Sequence, residues 1–364
     1  MKTSAQRVLI IAEAGVNHNG SLDLAFKLID AAAAAGADVV KFQTFRASEL
    51  ASAHVPKAQY QLASTDATES QLDMLKKIEL SESDHEKLIA HATRKGIGVL
   101  STPFDLPSLR LLTTRFGLKV IKIPSGEITN GPFLLEVAHT GREVILSTGM
   151  SSLAEVEAAL AILAFGFSTA SDAVEPSETA FSQAFASAAG QCALRAKVKL
   201  LHCTSEYPAP FAEVNLLAMD TLARAFELPV GFSDHTCGIH VPVAAVARGA
   251  CIIEKHFTLD RTLPGPDHAA SLEPQELAAM VRSIREVEIA LGDGIKRPMS
   301  SEWKNRPIAR KCLIATAPIK AGEPFTADNL GAKRSGAGLS PMNYWHLLGK
   351  VAVRGFEPDE PITL

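Results

Sequence analysis

The five cysteines of this 364-residue chain, Cys192, Cys203, Cys237, Cys251 and Cys312, lie far apart, and no two form a CxxC pair. That spacing gives no support to a zinc ribbon or a thioredoxin-type site, and the odd count argues against a secreted disulfide framework. Neither sign of charge is in excess. The formal net charge is −4, which offers no electrostatic attraction to nucleic acid or an anionic membrane. Long apolar runs are missing as well. The longest candidate, around Ala31 to Ala35, is short and flanked by Asp30 and Asp38, well below the roughly 20 residues of a spanning helix. Met1 to Arg7 is polar and runs straight into an apolar strand, without the apolar core and cleavage site of a signal peptide. A soluble, cytoplasmic protein with free thiols is expected.

What is present is ordinary globular composition, 47% hydrophobic and 21% charged. The length suffices for one domain of roughly 250 residues and a smaller one. Short apolar runs rich in Val and Ile alternate with longer amphipathic stretches. Eight strand candidates begin at Val8, Asp38, Gly98, Val120, Glu143, Val198, Pro229 and Cys251, each followed by a helix candidate. Between the second and third strands the helical region spans Ser70 to Lys95. Near-continuous apolar strands alternating with helices indicate a buried parallel sheet, and eight units match the (β/α)8 TIM barrel. A doubly wound open sheet is the structural rival, but no GxGxxG follows the first strand. The stretch from Phe167 to Ala196 reads as an insertion, helical in part. The expected division is a barrel over 1–292, a linker over 293–305 and a small β-rich domain over 306–364.

Polar residues gather where each apolar run ends: Glu13, Lys41 and Gln43, Thr102, Lys122, Ser147, His202, Ser233 with His235, and Glu254 with His256. Barrel active sites sit at the carboxyl ends of the strands. Core packing accounts for one or two such residues but not for one at nearly every strand end. His235 and His256 end neighbouring strands, and neutral imidazoles suit a divalent metal. Either histidine alone reads as an ordinary loop residue, with His235 bonded to Asp234. Lys41 and Lys122 are costly to bury without an anion, so a ligand carrying phosphate, carboxylate or both is implied. Thr102, Ser125, Ser147 and Ser233 can donate to the same anion. A rival reading makes one lysine a Schiff-base nucleophile, as in some barrel aldolases, and snorkelling to the rim is the bland alternative. Glu13 can move a proton or simply pair with Lys41. Glu127 and Glu254 are weaker candidates for such roles, and Asp267 can bond sugar hydroxyls.

Several runs resemble the sialic acid synthase family: Glu13-Ala-Gly-Val-Asn-His-Asn-Gly20, Val40-Lys-Phe-Gln-Thr44, Ser101-Thr-Pro-Phe104, Lys122-Ile-Pro-Ser-Gly-Glu127 and Leu146-Ser-Thr-Gly-Met150. Leu201 to Pro208, Ser233-Asp-His235, Glu254-Lys-His-Phe-Thr258 and Pro264-Gly-Pro-Asp-His268 continue the match in order along almost the whole chain. The resemblance implies a barrel followed by a small antifreeze-like (SAF) domain, in a domain-swapped homodimer. His235 and His256 would hold Mn2+ or Mg2+. Lys41, Thr102, Lys122, Ser125, Ser147 and Ser233 would bind phosphoenolpyruvate, with Ser205 near the place of a family asparagine. Glu13, Lys41 and Lys122 would be catalytic. Gln43, Glu127, Tyr207 and Asp267 would face the sugar, joined by Arg334 from the partner's small domain, next to Ser335 where the family more often has proline.

The implied reaction condenses phosphoenolpyruvate with an N-acetylated amino sugar, making a nine-carbon sugar acid. N-acetylmannosamine, giving N-acetylneuraminate, is the first expectation. A 2,4-diacetamido-2,4,6-trideoxymannose, giving N,N'-diacetyllegionaminate, is the alternative. A Schiff-base aldolase or lyase and a non-catalytic sugar-binding protein stand behind both.

Overall fold

The computed structural model describes residues 7–52, 56–57, 62, 65, 69–169 and 174–363. The extreme N-terminus and part of the inserted stretch, residues 170–173, lie outside them. The chain separates into two compact units, Met1–Asp293 and Gly294–Leu364.

The first unit is a barrel of eight parallel strands: β1 Leu9–Gly15, β2 Val39–Thr44, β3 Gly98–Pro103, β4 Val120–Ile123, β5 Glu143–Ser147, β6 Val198–Cys203, β7 Val230–Asp234 and β8 Ile252–His256. Backbone pairing runs β3-β2-β1-β8-β7-β6-β5-β4. Among the described residues the ladder opens only between β3 and β4, which still lie side by side. The helices of this unit are α1 Leu22–Ala34, α2 Ala47–Leu50, α3 Gln71–Ile78, α4 Glu82–Lys95, α5 Leu106–Arg110, α6 Gly131–His139, α7 Leu153–Ser168, α8 Glu178–Ala186, α9 Ala188–Lys197, α10 Ala218–Phe226, α11 His240–Ala247 and α12 Pro274–Leu291. Among the described residues no helix is long and apolar enough to cross a membrane.

The period of two along a strand places the site. Ile11, Leu100, Ile145, Leu201 and Ile252 pack together as an apolar plug inside the barrel. Two residues further along the same strands stand Glu13, Thr102, Ser147, Cys203 and Glu254. An apolar layer thus lies directly beneath a polar one. At β7 the plug has no room for a side chain. A Cβ on Gly231 would lie 2.6 Å from the Ile252 carbonyl and 2.7 Å from Leu201 Cδ2.

Two helical expectations are refined. The region from Ser70 to Lys95 is two helices, because Ser81 takes extended backbone and its hydroxyl accepts the Asp84 amide at 3.1 Å, starting α4 afresh. The inserted stretch is the pair α8 and α9, begun by the Ser177 and Ser187 hydroxyls and packed on α7. The second unit pairs β9 Cys312–Ala315 with β10 Leu330–Lys333 in antiparallel fashion. Its own core includes Leu313, Ile319, Phe325, Leu330 and Phe356.

Outside the barrel wall, between β7 and β8, Lys255 and Asp234 are both fully buried. The ammonium donates to Asp234 Oδ2 at 2.6 Å and to the Thr236 carbonyl, while Asp234 Oδ1 accepts the Thr236 amide at 3.0 Å. This pair fixes the turn that leaves β7. At the barrel mouth the β1–α1 loop is tied to the loop after β8. Asn17 donates to the Phe257 carbonyl at 2.8 Å and to Ser271 Oγ at 3.0 Å, and Asn19 donates to the Pro264 carbonyl at 2.8 Å. His18 is buried behind this joint, its Nδ1 accepting the Gly20 amide at 3.0 Å. Burial, helped by His85 and His268, lowers its pKa to about 4.

Lys255→Met should cost about 3–5 kcal/mol of unfolding free energy, because it leaves the Asp234 carboxylate buried and unpaired. Asp234→Asn with Lys255→Met should recover part of that loss in the same denaturant titration. His18 stays neutral in the fold down to about pH 4, whereas the unfolded chain takes up this proton near 6.5. Stability should therefore fall as pH drops from 6.5 to 4, with a contribution from this group of up to about 3 kcal/mol. His18→Gln should flatten that slope in thermal melts taken across the range.

Candidate active site

Four charged side chains form the floor of the barrel mouth. Lys41 lies 2.7 Å from Glu13 Oε2, donates to Thr102 Oγ1 at 2.9 Å and stands 3.6 Å from Glu254 Oε2. Lys122 donates to Ser147 Oγ at 2.7 Å and lies 3.4 Å from Glu254 Oε1, which also accepts from Ser233 Oγ at 2.9 Å. Strand register explains the meeting. Glu13 pairs with Lys41 on one side and His256 on the other, and Ser233 pairs with Glu254.

All four groups are buried, and burial works on each in its own direction. It pushes Glu13 up to about 7, with Lys41 opposing and Glu254 reinforcing the rise. Glu254 feels the same burial, but Lys122 and Lys41 outweigh it and hold its carboxyl at about 2. The floor therefore favours the ionised form of Glu254, which lies between both lysines, and burial favours the protonated form of Glu13. For Lys41, burial is overcome by Glu13 and Glu254 and the pKa rises, whereas burial prevails at Lys122 and lowers it.

Beside this floor His235 and His256 have ring centroids 5.5 Å apart, and Tyr207 packs at 4.2 Å from His235 and 5.5 Å from His256. His235 Nδ1 donates to the Thr204 carbonyl at 2.6 Å, which leaves Nε2 to present a lone pair. His256 Nδ1 is buried without a hydrogen-bond partner among the described residues and lies 3.6 Å from Asp267 Oδ2. Burial lowers both imidazoles, His235 to about 4 and His256 well below its ordinary value, and it raises Asp267 to about 6. Among the described residues no trio of His, Cys, Asp or Glu is drawn up as a ligand set. Two neutral imidazoles, one with an orphaned nitrogen beside a carboxyl, nevertheless form a donor set that fits a divalent cation.

The opposite corner is built around Gly149. Its amide donates to Ser125 Oγ at 3.1 Å, and Ser125 Oγ lies 3.3 Å from Cys203 Sγ. A Cβ on Gly149 would come within 2.7 Å of Ser125 Oγ and 2.9 Å of Cys203 Sγ, and would overlap Ser205 Oγ. Only glycine leaves these three side chains room to converge.

These groups line one cavity of about 450 Å³. It brings together Glu13, Lys41, Gln43, Thr102, Lys122, Ser125, Ser147, Ser205, Tyr207, Ser233, His235, His256 and Asp267. Three residues singled out in the sequence are not among its lining. Glu127 is half-buried with its carboxylate accepting from Asn130 at 2.6 Å. His202 Nε2 donates to the Val214 carbonyl at 2.7 Å, on the outer side of β6. Arg334 is exposed and belongs to the second unit. Glu254, a weaker candidate from the sequence, stands within 3.6 Å of Lys41 and 3.4 Å of Lys122. Its signal was the alternation Glu254-Lys255-His256, which sends the first and third side chains to the same face. The apolar lining contributed by α3 carried no chemical signal.

The NeuB family model matches residues 28–296, and the SAF domain model matches residues 310–364. The chain is 51% identical over 98% of its length to N,N'-diacetyllegionaminic acid synthase of Campylobacter jejuni, covering 99% of that protein. It is 44% identical over 95% of its length to the synthase of the same name from Legionella pneumophila, covering 90% of it. Among solved structures, N-acetylneuraminic acid (sialic acid) synthetase from Leptospira borgpetersenii, in complex with citrate, superposes with a TM-score of 0.65 at 35% identity, over 83% of this chain and 91% of that one. The eight-stranded parallel unit and the small antiparallel unit agree in position with the two family models. The chain is a member of the NeuB family, an enzyme of the sialic acid synthase type that carries a C-terminal SAF domain.

Proposed function

We propose that this enzyme condenses phosphoenolpyruvate and water with 2,4-diacetamido-2,4,6-trideoxymannose, giving N,N'-diacetyllegionaminate and phosphate. The two relatives at 51% and 44% identity both bear the name N,N'-diacetyllegionaminic acid synthase, whereas the sialic acid synthetase is 35% identical. That order favours the diacetamido sugar over N-acetylmannosamine, reversing the first expectation from the sequence.

The observation that carries the reaction class is the pair of buried lysines on either side of one carboxylate, Glu254. With Glu13 protonated the four-group floor carries one net positive charge, which suits a multiply anionic ligand. Lys41, Thr102, Lys122, Ser125, Ser147, Ser205 and Ser233 would bind the phosphate and carboxylate of phosphoenolpyruvate. That ligand's negative charge would raise the Glu13 pKa further and keep the carboxyl protonated until the substrates react.

His235 and His256 would hold Mn2+ or Mg2+, which when bound would act as a Lewis acid on the sugar aldehyde. The methylene carbon of phosphoenolpyruvate bonds to the aldehyde carbon, and the aldehyde oxygen takes the Glu13 proton to become a hydroxyl. Water adds to the carbon bearing the phosphate and returns a proton to the Glu13 carboxylate. The tetrahedral product then loses phosphate by carbon–oxygen cleavage. Lys41 and Lys122 stabilise the charge as it shifts. Gln43, Tyr207 and Asp267 would orient the sugar, with Glu127 nearer the rim.

Two copies would pair as a domain-swapped dimer, with Arg334 of one chain serving the sugar of the other. Met342, Trp345, Val351 and Val353 of the small unit are all exposed, which supports its docking on a second copy.

Phosphate release from phosphoenolpyruvate should require both a sugar and Mn2+ or Mg2+, with a higher kcat/KM for the diacetamido sugar than for N-acetylmannosamine. Lys122→Met should lower kcat/KM by roughly 10²–10³. Release without a sugar, or a preference for N-acetylmannosamine, would overturn the assignment.

A further inference from the structure

The floor and the histidine pair occupy only part of the cavity. On the side of β1 and β2 its lining turns apolar: Val16, Leu50, Ala51, Met74, Leu75 and Ile78. With the exception of the half-buried Leu50, these side chains are at most 8% exposed, and all six belong to one cluster separate from the barrel core. This cluster packs α3 over the ends of β1 and β2. From the same helix Gln71, its first residue, lends the wall an amide.

The direction of a bound sugar follows from the groups already placed, on the reading that the substrates are those proposed above. The aldehyde carbon must lie near the histidines and near the methylene of phosphoenolpyruvate. The β4 to β6 side, with Lys122, Ser125 and Ser147, is taken by the anion. The remaining carbons run over β1, where three polar groups converge. A Cβ on Gly15 would lie 3.1 Å from Glu13 Oε1, 3.3 Å from Gln43 Nε2 and 3.5 Å from Asp267 Oδ2. These groups suit hydroxyls close to the aldehyde. The far end of the sugar then meets the apolar wall.

We infer that this wall is the specificity subsite for the far end of the sugar, receiving the C6 methyl and the methyl of the 4-acetamido group, with Gln71 bonding that amide. A hexosamine with hydroxyls at C4 and C6 would place both against carbon with few partners. Such a pocket gains from each methyl and discriminates against an added hydroxyl by a modest factor, about 10–100-fold. The wall thus accounts for a preference that the floor, which touches only the reacting end, does not supply.

The test is the ratio of kcat/KM for 2,4-diacetamido-2,4,6-trideoxymannose to that for N-acetylmannosamine, measured with Mn2+ on the full-length enzyme. Met74→Gln and Leu50→Gln should each lower this ratio by about 10-fold or more, chiefly through KM for the deoxy sugar. The KM for phosphoenolpyruvate should stay unchanged, and Met74→Leu should retain the wild-type ratio. Leu50 is half-buried, so its variant tests the idea even where Met74→Gln fails to fold. Equal losses on both sugars, or an unmoved ratio in folded variants, would overturn the subsite while leaving the proposed reaction standing. A wild-type enzyme that turns over neither sugar, or prefers N-acetylmannosamine, would overturn both.

Discussion

Glu254 is the constraint on which the mouth of the barrel depends. Two ammonium groups at 3% exposure would repel each other in a medium of low dielectric, and neither would stay charged without a counter-ion. One carboxylate set between them, 3.6 Å from Lys41 and 3.4 Å from Lys122, relieves both. The two lysines favour the ionised form of Glu254, whereas burial raises Glu13 toward the protonated form. One carboxyl is structural in charge and the other is available for chemistry, although they sit on neighbouring strands.

This arrangement needs the apolar plug beneath it. A polar floor over a hydrated interior would be screened, and its lysines would behave as surface lysines. Ile11, Leu100, Ile145, Leu201 and Ile252 exclude water from below, and the absence of a side chain at Gly231 lets that layer close. Behind the wall, the Lys255–Asp234 pair fixes the turn on which His235 stands. The strand that carries this lysine also carries Glu254 and His256, so three consecutive residues serve the floor, the wall and the histidine pair.

Much of this was legible in the sequence, because strand alternation is a strict geometric rule. Once eight parallel strands were read, polar residues at their ends had to converge, and Lys41, Lys122, Thr102, Ser147 and the histidine pair do. Where backbone alternation stops, the reading weakens. Glu127 lies one turn beyond β4, and nothing in its spacing says that Asn130 will take its carboxylate. His202 ends a strand but points outward, since Cys203 takes the inward position. The break between α3 and α4 rested on a single serine cap. The wall made by α3 was invisible because its residues are ordinary core types, and only their position in space turns them toward a ligand.

The open seam in the barrel has a consequence for ligand and fold together. β3 and β4 lie side by side without a ladder between them, among the described residues. Thr102 ends one of these strands and Lys122 stands on the other. An anion gripped by both would bridge the seam where the backbone does not. Such an anion would act as a rivet in the barrel wall, and whatever stability it lent the seam would be linked to its own affinity.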